Sequence, residues 1–166
     1  MRRIDGSVNF SRNWKEYKNG FGDLDGEFFM GLDKIHAMTA ERPQELLVLL
    51  EDFEGDKRFE KYEKFAIGSE DQQYELHTLS KGSGNAGDSF SEHRGMKFTT
   101  YDRDNDLSSG NCARRGSGAW WYKHCQHSQL TGTYEDNRFA RGVIWDRFRG
   151  DEYSLKTAIM MIRPKK

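Results

Sequence analysis

The stretch from Asp102 to Cys125, DRDNDLSSGNCARRGSGAWWYKHC, limits what this chain can fold into more than any other. It combines alternating carboxylates, two cysteines, a Trp-Trp-Tyr run and six Gly or Ser positions. No ordinary helix or strand tolerates that mixture, so the segment is expected to be an irregular loop held by something other than regular hydrogen bonding. A bound cation and a disulfide are the simplest holders.

Asp102, Asp104 and Asp106 repel one another in a compact loop unless positive charge sits among them. Hard oxygen donors with carbonyl-rich neighbours suit calcium better than zinc or copper. An EF-hand loop needs Gly at its sixth place and Glu at its twelfth; counted from Asp102, those places hold Leu107 and Ala113. The remaining metal reading is an unrelated calcium loop, with carboxylates from Asp104 and Asp106 and carbonyls from the Ser108–Asn111 backbone. A solvated acidic turn is the alternative.

Cys112 and Cys125 are the only cysteines and enclose twelve residues. Bridging a loop of that size stabilises a fold by roughly 3 kcal/mol. An even count at the two ends of a Gly-rich loop favours a bridge and an oxidising compartment. The competing reading is a zinc site of Cys112, Cys125, His124 and His127, although the side chains of the neighbours His124 and Cys125 normally diverge.

The segments RRIDGSVNFSRNWKEYKNGFG, GEFFMGLDKIH, LEDFEG, YELHTL, AGDSF, HRGMKFTTYDRDND, NCARRGSGAWWYKHC and YSLK run almost end to end. Together they resemble the fibrinogen C-terminal domain, the module of fibrinogen chains, ficolins, tachylectins, angiopoietins and tenascins. The resemblance implies an extracellular, non-enzymatic binding module with an α+β fold. It implies a central antiparallel sheet with short helices (residues 1–90), a loop-rich calcium and ligand subdomain (91–150) and a strand returning to the sheet (151–166). It implies Ca2+ held by Asp104, Asp106, Ser108 and Gly110, the last two through carbonyls, and a bridge between Cys112 and Cys125.

In sugar-binding relatives an acetyl group sits beside that disulfide, next to a cis peptide that corresponds to His124–Cys125. The candidate ligand-binding residues are Tyr122, His124, Cys125 and Gln126 at the positions the resemblance implies, together with Arg114 and Arg115, which enter the same loop in this chain. Trp120 and Trp121 are read as structural. The chain departs from lectin-like relatives at three places: Gly116 stands where Tyr is common, Gln126 where His is usual, and SQLTG replaces SNLNG at residues 128–132. Arg114, Arg115, Arg138 and Arg141 make the surroundings more basic, and the acidic residue of fibrinogen's knob-binding pocket is missing. Two readings stay open: the arginines are solvated rim charges, or the rim prefers an anionic group such as a sialic acid carboxylate, a sulfated glycan or an acidic protein loop over an acetylated one.

A chain of 166 residues can bury a real core. Its 26 basic and 27 acidic residues nearly cancel, leaving no global field toward nucleic acid or membrane. Residues 1–20 are polar and charged, without a secretory signal, and no apolar run approaches membrane-spanning length. Relatives reach the RRIDGSVNF motif only after an opening segment, so the chain is expected to be truncated and less stable than a version with that segment restored. Any clustering would then come through missing upstream sequence.

Ser11 is expected to cap a helix over 12–19, with Trp14 and Tyr17 facing the core. A second helix is expected over 32–38. Strands are expected over 45–51, 62–67, 74–79 and 153–163; the first, with leucines on both faces, should be covered on both sides. Asp88, Ser89 and His93 lie close in sequence, but no nucleophile elbow accompanies them, so no enzyme is expected. Two functions fit: a secreted recognition protein of innate defence that binds glycans through a calcium-supported loop, or a signalling or adhesive ligand that binds a cell-surface receptor protein.

Overall fold

A computed structural model describes all 166 residues. Ten strands form in chain order: β1 (Arg2–Arg3), β2 (Phe21–Gly22), β3 (Phe28–Phe29), β4 (Gln44–Glu51), β5 (Lys57–Ala66), β6 (Thr78–Leu79), β7 (Gly82–Gly84), β8 (Ser128–Gln129), β9 (Ile144–Trp145) and β10 (Thr157–Pro164). The helices are short: α1 (Trp14–Asn19), α2 (Leu32–Ala40), α3 (Cys112–Gly116) and α4 (Asp146–Arg149).

The main sheet is antiparallel, ordered β2-β3-β1-β10-β4-β5-β6, with β7 also on β5; β8 and β9 form a separate pair. Its first and last strands thus meet at the centre. Beyond Met1, which exchanges backbone hydrogen bonds with Met160, residues 161–164 of β10 pair with β4 alone.

Period-two alternation decides the two faces of β4. Leu46, Val48 and Leu50 are almost wholly buried, while Leu47 and Leu49 are half-buried on a face that no element covers. The expectation of cover on both sides therefore fails. Across that open face Ile159 aligns with Leu49 and Phe59, and Met161 with Leu47. Charged residues flank this apolar strip, including Glu45, which pairs with both Arg163 and Lys61.

α1 starts two residues later than expected, and its cap is Asn13 rather than Ser11. Asn13 accepts from the Glu16 N–H while the Glu16 side chain reaches back to the Asn13 N–H, a reciprocal pairing that Ser11 has no acidic partner to make. α2 runs two residues past its expected end. β5 begins five residues earlier than expected, and β10 four residues later. Of the 74–79 strand only Thr78–Leu79 forms. Gln73 and Tyr74 take left-handed backbone, and the amides of Tyr74 and Leu76 donate to the loop carbonyls of Ser69 and Met96.

One hydrophobic core of 28 buried residues runs from the sheet into the loops and includes Trp14, Tyr17, Val48, Tyr62, Phe98, Cys112, Trp120, Trp121 and Leu155. The irregular half is thus fastened to the sheet by burial. Trp120 and Trp121 are buried, as their structural reading requires, and Trp121 Nε1 donates to the Tyr74 carbonyl.

Candidate functional site

Residues 102–132 form a loop system tied to itself by side chains reaching main-chain groups. Asp102 leaves the acidic run: its carboxylate accepts from the Trp14 N–H at 2.9 Å and the Thr100 hydroxyl at 2.7 Å, securing the start of α1. Asp104 and Asp106 remain together. The Asp106 carboxylate takes the amides of Ser108 at 3.0 Å and Cys112 at 2.9 Å, and Asp104 takes that of Asp106 at 3.2 Å. Burial, with Asp104 adding to it, holds the Asp106 carboxyl above the ordinary range.

This pair fits a hard cation. Neither carboxylate has a Lys, Arg or His partner within salt-bridge distance, and the Ser108 and Gly110 carbonyls accept no hydrogen bond from the chain. No group of three or more His, Cys, Asp or Glu side chains is arranged to hold a metal by itself, so a cation here would need those carbonyls too.

The cysteines are joined as Cys112–Cys125, with Cα atoms 5.4 Å apart, which removes the zinc reading. His124 is exposed and His127 faces Asp146 at 2.8 Å. The His124–Cys125 peptide is cis. Two contacts couple the acidic turn to this bridge: Cys112 N–H on Asp106, and Leu107 N–H on the Lys123 carbonyl at 3.0 Å. Asn111 caps α3, accepting from Arg114 N–H, and donates to the Thr100 and Tyr101 carbonyls.

The six ligand-binding positions do not share one surface. His124, Arg114 and Arg115 are exposed, and Cys125 and Gln126 are half-buried. Arg114 Nε holds the Tyr101 carbonyl at 2.9 Å, whereas Arg115 lies 3.8 Å from Cys125 Sγ. Tyr122 is fully buried, with its hydroxyl on Gln129 Oε1, so it lies beneath the surface rather than on it. Gln126 donates to the Ala140 carbonyl at 3.2 Å while its own Oε1 is buried and unpartnered. Arg138 forms a two-point pair with Asp136, which leaves Arg114, Arg115 and Arg141 as the local arginines without an acidic partner.

The altered SQLTG segment is closely fitted. A Cβ at Gly116 would collide with Gln129 Oε1, and Gln129 Nε2 donates to the Gly116 and Gly142 carbonyls. Thr131 Oγ1 bonds the Ala119 carbonyl and accepts its N–H. Gly116 and Gln129 thus form a matched pair: the glutamine fills space that a larger residue at 116 would need. No sequence periodicity signals this contact across thirteen positions.

His93 underpins the same loops. It is buried, one ring nitrogen meets the Trp121 carbonyl at 2.8 Å, and Nε2 accepts from His127 and Ser128 amides. Burial pushes its pKa down to about 4. Ser89 donates to Asp146, and Asp88 binds Tyr62, Gly82, Phe90 and Ser91, so Asp88, Ser89 and His93 form no catalytic relay.

A small α+β globe whose disulfide-closed loop stands on a shared aromatic core is a fibrinogen-like globe. The family model for the C-terminal globular domain of fibrinogen beta and gamma chains matches residues 1–165. This chain belongs to that family. It is 49% identical to human angiopoietin-related protein 2 over 99% of its length and 47% identical to human fibrinogen C domain-containing protein 1, also over 99%. It spans 34% and 37% of those relatives, about a third of their length. The fibrinogen-like globe domain of human ANGPTL6 matches with a TM-score of 0.97 and 46% identity, covering all of this chain and 77% of that one. Lamprey fibrin D-dimer, complexed with the peptide Gly-His-Arg-Pro-amide, matches at 0.92 and 33% identity over 98% of this chain and 59% of that one. No helix is long and apolar enough to cross a membrane.

Proposed function

We propose that the domain is an extracellular, non-catalytic recognition module that binds an acidic segment of a partner protein at the surface beside Cys112–Cys125. The observation that carries this reading is that Arg114, Arg115 and Arg141 form no salt bridge within the chain, with Arg115 3.8 Å from the Cys125 sulfur. Guanidinium recognises carboxylate with two parallel hydrogen bonds, and such pairing gains strength where one side is partly buried.

The relatives favour a protein partner over a sugar. Their names place this chain beside angiopoietin-related proteins, and the lamprey fibrin complex holds a peptide. That peptide contains arginine; a surface that itself carries unpaired arginines calls for the opposite charge in its partner. The receptor-ligand alternative therefore replaces glycan binding in innate defence as the leading reading.

Asp104 and Asp106, with the Ser108 and Gly110 carbonyls, are proposed to hold calcium. Bound there, the ion supplies positive charge that offsets the crowded carboxylates. Through the Cys112 amide on Asp106 and the Leu107 link to Lys123, the same residues keep the disulfide loop in register.

Surface-immobilised domain in calcium buffer tests the reading against acidic peptides, sulfated and sialylated glycans and neutral acetylated sugars, with a chelator arm. Binding to acidic peptides is expected, weakened by salt and by Arg115→Gln. Binding only to neutral acetylated sugars, insensitive to salt, would overturn it and restore the lectin reading. A thermal transition unmoved by calcium in the wild type and in Asp106→Asn would remove the metal.

A further inference from the structure

Asn9-Phe10-Ser11 is an Asn-X-Ser sequence with a residue other than proline in the middle, the acceptor pattern for N-linked glycans. Such triplets are common by chance, and most of those that fold into strands or cores are useless. This one is displayed. Asn9 and Ser11 are exposed in the loop between β1 and α1, while Phe10 between them is 2% exposed.

Phe10 is the anchor. Its ring meets Phe21 edge-on at 4.9 Å, the Arg3 guanidinium lies 4.0 Å from it, and its carbonyl accepts the Tyr17 hydroxyl at 2.6 Å. With the middle residue pinned inward, its two neighbours point to solvent. Asn9 Oδ1 accepts the Ser11 N–H at 2.8 Å, which orients the amide and leaves Nδ2, the atom that would carry a sugar, without a partner in the chain. The Arg12 side chain closes the turn on the Asn9 carbonyl at 2.7 Å. Beside it lies a polar recess of about 340 Å³ lined in part by Ser7, Asn9, Ser11, Ser117, Thr133 and Tyr134, roomy enough for the first sugar to rest against.

We infer that Asn9 is an N-glycosylation site. This rests on the extracellular reading above, because the co-reactant, an oligosaccharide on a polyprenyl diphosphate, is met with its transferase along the secretory route. In the transfer a bond forms between Asn9 Nδ2 and C1 of the first sugar. The bond from C1 to the diphosphate oxygen breaks, the polyprenyl diphosphate leaves with the electron pair, and Nδ2 gives up one proton. The product is bulky and strongly hydrated, and it covers the polar face around the recess with sugar.

The test is expression of the whole chain behind a cleavable secretion leader in animal cells, with mobility read in both medium and cell lysate. Removal of Asn-linked glycans by an amidase should increase the mobility of the wild type and of Ser11→Thr, and should leave Asn9→Gln and Ser11→Ala unchanged. Mass spectrometry should find Asn9 converted to Asp by that amidase. Glycan on lysate material with none exported would support the site and count against the extracellular reading. Wild-type chain that reaches the medium without an amidase-sensitive shift overturns the site and leaves that reading intact. A shift that persists in both Asn9→Gln and Ser11→Ala places the sugar elsewhere and overturns it too.

Discussion

The sheet and the loop system share one buried core, yet they satisfy their backbones by different means. In β4, β5 and β10 main-chain groups pair with each other along ladders seven or eight residues long. Between Thr99 and Gly132 regular structure is nearly absent, and side chains stand in for it: Asp102, Asp106, Asn111, His93 and Gln129 each hold backbone amides or carbonyls. Glu27 does the same at the first loop, taking the amides of Ile4, Asp5, Gly6 and Val8. A ladder tolerates most substitutions of its outward residues, whereas a loop built this way depends on each polar side chain individually.

The largest effect should separate the two faces of the sheet. Leu46→Ala removes a side chain that is 1% exposed and should cost about 2–5 kcal/mol in denaturant unfolding. Leu47→Ala, on the open face, should cost well under half as much. Equal losses would mean that something covers the outer face in solution. Next, Cys112→Ser together with Cys125→Ser should lose about 3 kcal/mol, from the entropy of a chain no longer closed. Hydrogen exchange should quicken at residues 104–126 more than in β4. If it rises uniformly, the two regions open as one unit.

Acid should attack the loops through His93. Its pKa is depressed from 6.5 to about 4 because burial disfavours the imidazolium, with His127 and Lys123 adding repulsion and Asp146 opposing. The folded state therefore binds a proton less readily than the unfolded chain. Stability is full above pH 6.5 and declines toward pH 4, by about 3 kcal/mol from this group alone. An NMR titration that places this imidazole near 6.5 would remove the effect. Glu27 acts at lower pH. Burial raises its pKa, but its backbone donors outweigh that and hold it below the usual 4.5, so its contribution disappears only as the pH falls through that depressed value.

The same division explains what could be read from the residues alone. β4 is legible as a short apolar run between charged ends, α1 by Trp14 and Tyr17 three apart, and the bridge by two cysteines at the ends of a loop. The capping box is also legible, in Asn13 and Glu16 three residues apart. The pairings that build the loop site were not legible. Asp102 and Trp14 are 88 positions apart, and Gly116 and Gln129 meet only because the loop folds back on itself. Alternation misled at 74–77, where the amides find loop carbonyls instead of a neighbouring strand. Local pattern reports elements that local forces form, and side-chain-to-backbone contacts over long separations leave no period behind.

The smallest predicted effect tests the rule inside the sheet, where one polar side chain breaks it. Glu60 on β5 is 2% exposed, its Oε1 has no partner, and no cation pairs with it. Room for it comes from the glycines of β7: a Cβ at Gly82 would lie 2.8 Å from Glu60 Oε2, and one at Gly84 would lie 2.6 Å from Oε1. Burial, helped by the nearby Asp88 charge, raises its carboxyl above the ordinary 4.5. A raised pKa means that the folded state holds this proton more tightly, so stability from this group is full at low pH and falls as pH rises through the folded value. Glu60→Met keeps the length and removes the charge. It should be more stable than the wild type by about 1 kcal/mol at pH 7, with the advantage shrinking as pH falls toward 4.5. A variant less stable than the wild type at both ends of that range would show that the carboxyl has a partner, and that the ladder half also relies on an individual polar contact.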